Sequence, residues 1–355
     1  MKLKDIIYRI THWESWHHHV KYIPLSPVWL WYCLRSGTPW FFTATNPSLT
    51  FGGFEGEGKR EMYEQLPSGS YPRSIYIDAG IPFSQLEERV AAAGYSYPFI
   101  AKPNVGMMGF MVRKINDAGQ LKLYHEAMPS EYIVQTLVNY PLEVSAFYYR
   151  MPADKKGTVS GLLKKQPPYV VGDGTSNLES LIKKNGHVRF KKEDILSRNA
   201  AQLQKVLPSD ETFFLSVTSN RSQAGMVEGI DQEINESLRT LLDDWSHYAG
   251  KLYYGRYDIK CSSVESLKSG TDFFILEFNG TGAGIQHITG NNYSLFKAWG
   301  IILKHWKMMY KISRYNATVL GVKYWGFKQG SLHLKNAKAN LQFLKKLDAD
   351  FPAFL

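Results

Sequence analysis

The stretch 255–284, GRYDIKCSSVESLKSGTDFFILEFNGTGAG, constrains this chain more than any other. Two short apolar segments joined by a polar connection ending in Ser-Gly-Thr-Asp predict a β-hairpin, with strands over 257–260 and 273–278. Asp258 falls on the first strand. Glu277 and Asn279 lie two apart at the end of the second, so strand periodicity sends both to one face. If the strands pair, three oxygen donors meet at one end of a sheet. Hard cations such as Mg²⁺ take carboxylate and amide oxygens and leave further positions to water and phosphate. Arg256 and the glycines after Asn279 would let a phosphate approach closely. The competing reading is that Asp258 and Glu277 are ordinary solvated acids at strand ends.

A chain of 355 residues, 44% hydrophobic and 21% charged, is globular and long enough for two or three domains. The net charge of +10, from 42 basic and 32 acidic residues, favours anionic partners. The basic residues are spread along the chain rather than blocked, so composition alone does not choose among nucleotides, nucleic acid and acidic membranes. Cys33 and Cys261 stand far apart and in no metal spacing, as expected of a reduced cytoplasmic protein. The N-terminus MKLKDIIYRITHW has neither the apolar core nor the cleavage site of a signal peptide. The apolar run 22–33 is broken by Pro24 and Pro27 and falls short of the ~20 residues a spanning helix needs. It reads as buried or partner-facing, with membrane-surface contact through Trp29, Trp31 and Tyr32 left open.

The rest of the chain supplies the parts around this hairpin. The cluster His17, His18 and His19 reads as surface or interface, because consecutive side chains diverge and one metal would meet two of them at best. Trp40, Phe41 and Phe42 read as core or dimer contact. Residues 53–59 match the phosphate-loop spacing G-x-x-x-x-G-K, but Arg60 replaces the needed Ser or Thr. Glu55 and Glu57 put negative charge where phosphate belongs, so that reading is rejected. Ser84 and Glu87 predict a capping box, and Gly94 a stop, for a helix between them. Strands over 98–101 and 110–114 flank Lys102-Pro103-Asn104-Val105-Gly106-Met107-Met108-Gly109, a hairpin whose glycine tip can fold over phosphates while the lysine adds charge. Strands 131–137 and 142–149 follow, with Glu143 placed to accept from ribose hydroxyls. Ser176 and Glu179 predict another helix start. The loop within 214–225 reads as substrate-contacting. Helices are expected over 234–252 and 295–312. A tail helix follows, with apolar residues at 334, 337, 341, 344 and 347.

In this order, a Lys-Pro-x-x-Gly-x-x-Gly hairpin, a strand-to-linker with Glu, and an Arg-x-Asp…Leu-Glu-x-Asn pair resemble the ATP-grasp superfamily, over about 59–303. Within it the chain is similar to D-alanine–D-alanine ligases and to the ligase part of cyanophycin synthetases, the latter through PYVVGDGTSNLESLI and TSNRSQAG. The resemblance implies an α+β fold in which two α+β subdomains sandwich ATP, preceded by an atypical N-terminal region. It suggests boundaries at 1–80, 81–140 (small subdomain with the glycine flap), 141–312 (large subdomain) and 313–355 (helical tail). It implies ATP and Mg²⁺, with Mn²⁺ as a substitute, and an acyl-phosphate formed from a small carboxylate and attacked by an amine. Carried over residue by residue, Asp258, Glu277 and Asn279 match the metal ligands. Arg256 and Lys165 match catalytic cations over the transferring phosphoryl group. Lys59 and Lys102 match phosphate-binding lysines, and Gly106, Met107 and Gly109 the flap. Gln135, Leu137 and Val138 match the adenine edge, and Glu143 the ribose acid. The flap lacks the serines of D-alanine–D-alanine ligases, Gln135 stands where they tend to carry Glu, and the N-terminal region is short and unlike their first domain, with none of their D-alanine-recognising residues identified in it.

The resulting expectation is a cytoplasmic carboxylate–amine ligase, with a homodimer allowed and no nucleic-acid or integral membrane partner. Two rivals remain at this level. One is an ATP-binding partner module that has lost ligation. The other is a basic binder of nucleic acid or membrane surfaces, which would show a steep salt dependence.

Overall fold

The computed structural model describes residues 8, 11–16, 18–216, 219 and 224–351. The His17–His19 cluster lies outside the residues whose side chains are described, as does most of the TSNRSQAG loop. The N-terminal region contains helix α1 (Ser26–Ser36), 3-10 turns at Phe41–Ala44 and Thr50–Gly53, and the short helix α2 (Lys59–Tyr63). Phe41, Phe42 and Phe51 are fully buried, which places Phe41 and Phe42 in the core, with the partly buried Trp40 packed against it. No residue of α1 is buried. The rejected phosphate loop runs from a 3-10 turn, and among the described residues no strand precedes it.

Strands β1 (Ser74–Ile77), β2 (Phe99–Pro103), β3 (Arg113–Ile115) and β4 (Tyr132–Thr136) form an antiparallel sheet in the order β1-β4-β2-β3. Helices α3 (Phe83–Ala92) and α4 (Ala118–Ala127) cover it through Leu86, Val90, Leu121 and Tyr124. The capping box expected at Ser84 does not form. α3 begins two residues earlier than that cap requires, after Pro82, so Ser84 falls inside the first turn. The stop holds, with Gly94 at a φ of +67° that a side chain would strain. Likewise Asn177, rather than Ser176, caps the helix Leu178–Lys184, accepting from the Ser180 N–H. Ser176 belongs to a turn closed by Asp173.

The second sheet is antiparallel, in the order β11-β10-β5-β6-β9, from β5 (Leu142–Tyr149), β6 (Thr158–Gln166), β9 (Met226–Gly229), β10 (Tyr254–Cys261) and β11 (Phe273–Asn279). A small unit with β7 (Tyr169–Val171) and β8 (Thr212–Phe214) is inserted between β6 and β9. Period-2 patterning on β5 sends Val144, Ala146 and Tyr148 to one face, where α5 (Glu236–Tyr248) packs with Leu238, Leu242 and Trp245. It sends Phe147 and Tyr149 to the other, against α6 (Leu295–Thr318) and the buried N-terminal phenylalanines. On β10 this second face carries Tyr254, Arg256 and Asp258. The polar residues therefore begin where the apolar core of that face ends. A last helix, α7 (Phe327–Asp350), returns to the first sheet and buries Leu344 in its core.

Candidate active site

The hairpin expected from the sequence forms. β10 and β11 pair with Asp258 opposite Glu277 and Arg256 opposite Asn279, and a bulge follows Asp258. The Arg256 guanidinium donates from Nε and Nη2 to the two Asp258 oxygens, each at 2.8 Å. Lys165 Nζ, on β6, lies 3.0 Å from the same carboxylate, Asn279 Nδ2 donates to it at 3.3 Å, and Ser145 Oγ, on β5, donates to it as well. Burial alone would raise the Asp258 carboxyl. The Arg256 and Lys165 charges outweigh it and hold Asp258 well below the usual carboxylate range.

Beside this cluster a cavity of about 300 Å³ is lined by Glu57, Lys59, Lys165, Arg256, Asp258, Glu277 and Asn279, with flap residues 105–108 as its roof. Lys59 opens α2, donates to the Gly106 carbonyl at 3.1 Å and lies 3.6 Å from Glu277. Glu277 is the least covered of the acids, with about a third of its side chain open. Glu57 is an addition that sequence reasoning missed. Its charge argues against a phosphate loop, yet the loop it sits on forms the cavity wall. Burial pushes its carboxyl up to about 7, and the neighbouring Glu277 charge adds to the rise.

Other expected contacts are not in this cavity. Lys102 and Gln135 both donate to the Tyr63 hydroxyl, at 3.1 and 2.9 Å, and that hydroxyl donates to the Leu276 carbonyl at 2.7 Å. Gln135 also donates to Ser74 at 2.8 Å. Burial lowers the Lys102 ammonium to about 8. Leu137 is half-buried, and the Val138 carbonyl accepts from Lys260 Nζ at 3.3 Å. Glu143 lies 3.7 Å from Lys165, which links this group to the Asp258 cluster. Nothing in the sequence pattern pointed to Tyr63, which lies in the apolar stripe of a short helix.

The flap is built over glycines and held from outside. Met108, Gly109 and Met111 take φ values of +59°, +77° and +56°. Asn340 of α7 donates to the Val105 carbonyl at 3.2 Å, and Asp348 accepts from the Met111 N–H and the Arg113 guanidinium, both at 2.8 Å. Ala337, Leu341 and Leu344 complete the cavity wall. They are three members of the apolar stripe read in the tail, whose partner the sequence did not reveal.

The glycines after Asn279 differ from expectation. Gly280 is packed against the backbone of Gly52 and Gly53, too tightly for any side chain, and the Thr281 and Gly282 amides donate to the Gly52 and Gly53 carbonyls. Gly280 thus admits another stretch of chain rather than a phosphate. Gly282 and Gly284 still face the cavity.

Among the described residues no cluster of three His, Cys, Asp or Glu forms a metal site by itself. The donor set is two carboxylates and an amide, with Glu57 nearby. Glu57 is raised chiefly by burial and further by the neighbouring Glu277 charge, and a divalent cation between the two acids would oppose that rise.

No family model matches the chain. It is similar to cyanophycin synthetase from Synechocystis sp. (strain ATCC 27184 / PCC 6803 / Kazusa), 25% identical over 245 residues that cover 61% of this chain. The match spans 27% of that relative's length. Solved structures similar to it include a bifunctional glutathione synthetase from Pasteurella multocida, 17% identical with a TM-score of 0.41, covering 71% of this chain and 35% of that one. Another is D-alanine–D-alanine ligase from Bacillus anthracis, 15% identical with a TM-score of 0.39, covering 72% and 66%. Cyanophycin synthetase is one of the two enzymes that the motif order resembles, so the resemblance to ATP-grasp ligases holds in the sequence match as well.

Proposed function

We propose that this chain is an ATP- and Mg²⁺-dependent carboxylate–amine ligase of the ATP-grasp kind, acting on an amino acid, a peptide or another small acid. The observation that carries the reading is one cavity in which Asp258, Glu277 and Asn279 face Lys59, Lys165 and Arg256 beneath a glycine flap.

A carboxylate is a poor electrophile, and phosphorylation gives it a leaving group. In the first step a carboxylate oxygen takes the γ-phosphoryl group and ADP departs. In the second the amine nitrogen bonds the acyl carbon, the C–O bond to phosphate breaks, and the nitrogen releases a proton. Such transfers depend on positioning and charge neutralisation. Arg256 and Lys165 are fixed by Asp258, so they can neutralise phosphoryl oxygens without reorganising. Lys59 stands between Glu277 and the flap carbonyl of Gly106, where it can follow a phosphate into the cavity. Asp258, Glu277 and Asn279 would hold the metal ion, which supplies Lewis-acid charge to phosphate oxygens. The flap keeps water from the activated acid.

The test is ADP release with panels of acids and amines, repeated on Glu277→Gln and Lys165→Met. Turnover that persists in both variants would sink the site assignment. A thermal shift with ATP, but no ADP release with any acid–amine pair, would favour a binding module instead.

A further inference from the structure

The surplus positive charge comes from missing acids rather than basic runs. Residues 15–54 and 278–347 contain no Asp or Glu and hold 13 Lys and Arg. The remaining 29 basic and 32 acidic residues nearly cancel. The fold then brings the two acid-free segments together. Trp29 of α1 meets Trp306 of α6 edge-on with ring centroids 5.1 Å apart, and Tyr32 stacks on Tyr310 at 4.4 Å.

Two outer stripes result. On α6 the buried residues recur at 298, 302, 305, 309, 312 and 316. On its opposite side Lys304, Lys307, Lys311 and Arg314 are exposed at helix spacing. Arg314 reaches Tyr310 at 2.9 Å, the same ring that stacks on Tyr32, so this stripe runs up to α1. On α1, Leu30, Trp31 and Leu34 are 59%, 56% and 77% exposed, again at helix spacing. Ile23, just before the helix, is 65% exposed.

We propose that α1 and the outer stripe of α6 form a docking surface for an anionic lipid bilayer. Clustered aliphatic chains open to water mark an interaction site. Beside cations, on two segments that carry no acid of their own, they fit an interface in which apolar side chains enter the headgroup boundary, Trp31 sits at that level, and the lysines meet anionic headgroups. A nucleic acid would use the cations but offers nothing to the aliphatic chains of Leu30 and Leu34. The attachment is peripheral, since among the described residues no helix is long and apolar enough to cross a membrane. Neither helix contributes a residue to the cavity, so the surface is independent of the reaction there.

The experiment is flotation of the full chain with phosphatidylcholine vesicles and with phosphatidylcholine–phosphatidylglycerol vesicles, at low and high salt. Binding is expected to the anionic vesicles only and to weaken steeply with salt. Lys304→Gln, Lys307→Gln and Lys311→Gln should each lower partitioning roughly fivefold. The combined Leu30→Ala, Trp31→Ala, Leu34→Ala variant should lower it roughly tenfold or more, with the melting temperature little changed because these side chains are exposed. Equal binding to both vesicles, or undiminished binding by the triple variant, overturns the proposal. So does an RNA or DNA oligonucleotide that binds both proteins alike while vesicles do not. A dimer that dissociates on the triple substitution, without flotation of the parent, would assign the face to a second copy of the chain instead.

Discussion

Asp258 and Glu277 stand opposite one another across β10 and β11, yet only Asp258 is saturated with cations. The two carboxylates should therefore fail differently. Glu277→Gln should lose on the order of 10²–10³ in turnover and keep its melting temperature, because Glu277 is partly open. Asp258→Asn should lose turnover and also stability, by about 3–5 kcal/mol, because Arg256 stays buried without its partner. Urea melts beside ADP-release assays separate the two. The pH dependence adds a sign. Asp258 is depressed below its ordinary 3.8, so its contribution is complete above that value and is lost as pH falls through the folded value. Asp258→Asn should flatten this acid limb.

Glu57 behaves in the opposite sense. Its carboxyl rises from an ordinary 4.5 to about 7. Its contribution is present below 4.5 and is lost as pH climbs through about 7, where a charged carboxylate must be kept in a partly buried wall. Without divalent cation, wild-type stability should decline across that window and Glu57→Gln should decline less. Added Mg²⁺ should restore the wild type above pH 7 and leave the variant little changed. Identical pH profiles for the two proteins would remove Glu57 from the electrostatics of the cavity.

The local parts of this site were legible because they obey period and spacing. Two apart on a strand means one face, and that placed Glu277 with Asn279. A glycine-tipped hairpin after Lys102 followed from turn chemistry. What the sequence did not reveal depends on contacts between distant segments. The stripe at 337, 341 and 344 was visible as a helix face, but no local rule says it closes on the flap. The glycines after Asn279 read as room for phosphate, and only the path of Gly52 and Gly53 shows what fills the space at Gly280. Ser84 lost its capping role because Pro82, with its fixed φ, starts α3 two residues early.

Tyr63 holds Lys102 in place, and its hydroxyl is testable apart from its ring. Tyr63→Phe leaves the buried Lys102 and Gln135 donors without that partner and should cost about 1–3 kcal/mol of stability. If Lys102 also meets the nucleotide, as the motif resemblance implies, affinity should weaken as pH rises through about 8, the value to which burial lowers its ammonium. Folding stability runs the other way. Between about 8 and 10.5 the unfolded chain keeps a proton that the folded one releases, so stability rises with pH. Lys102→Met should abolish both trends. Nucleotide titrations across this range in the two variants give the check.

The flap and α7 make a last prediction about fidelity. Leu344 is buried against Gly106, and Asn340 and Asp348 hold the flap at Val105 and at Met111. A flap tied at both ends to one helix can exclude water only while that helix stays docked. Asn340→Ala removes one tie at small structural cost, so folding should survive. Leu344→Ala removes core packing and should cost about 2–5 kcal/mol. In both variants ADP release should outrun amide formation, because water reaches the activated acid before the amine does. The ratio of amide to ADP, measured at saturating acid and amine, should fall first in Asn340→Ala, whose melting temperature stays near wild type. A ratio fixed near one in that variant would show that the flap closes without help from α7.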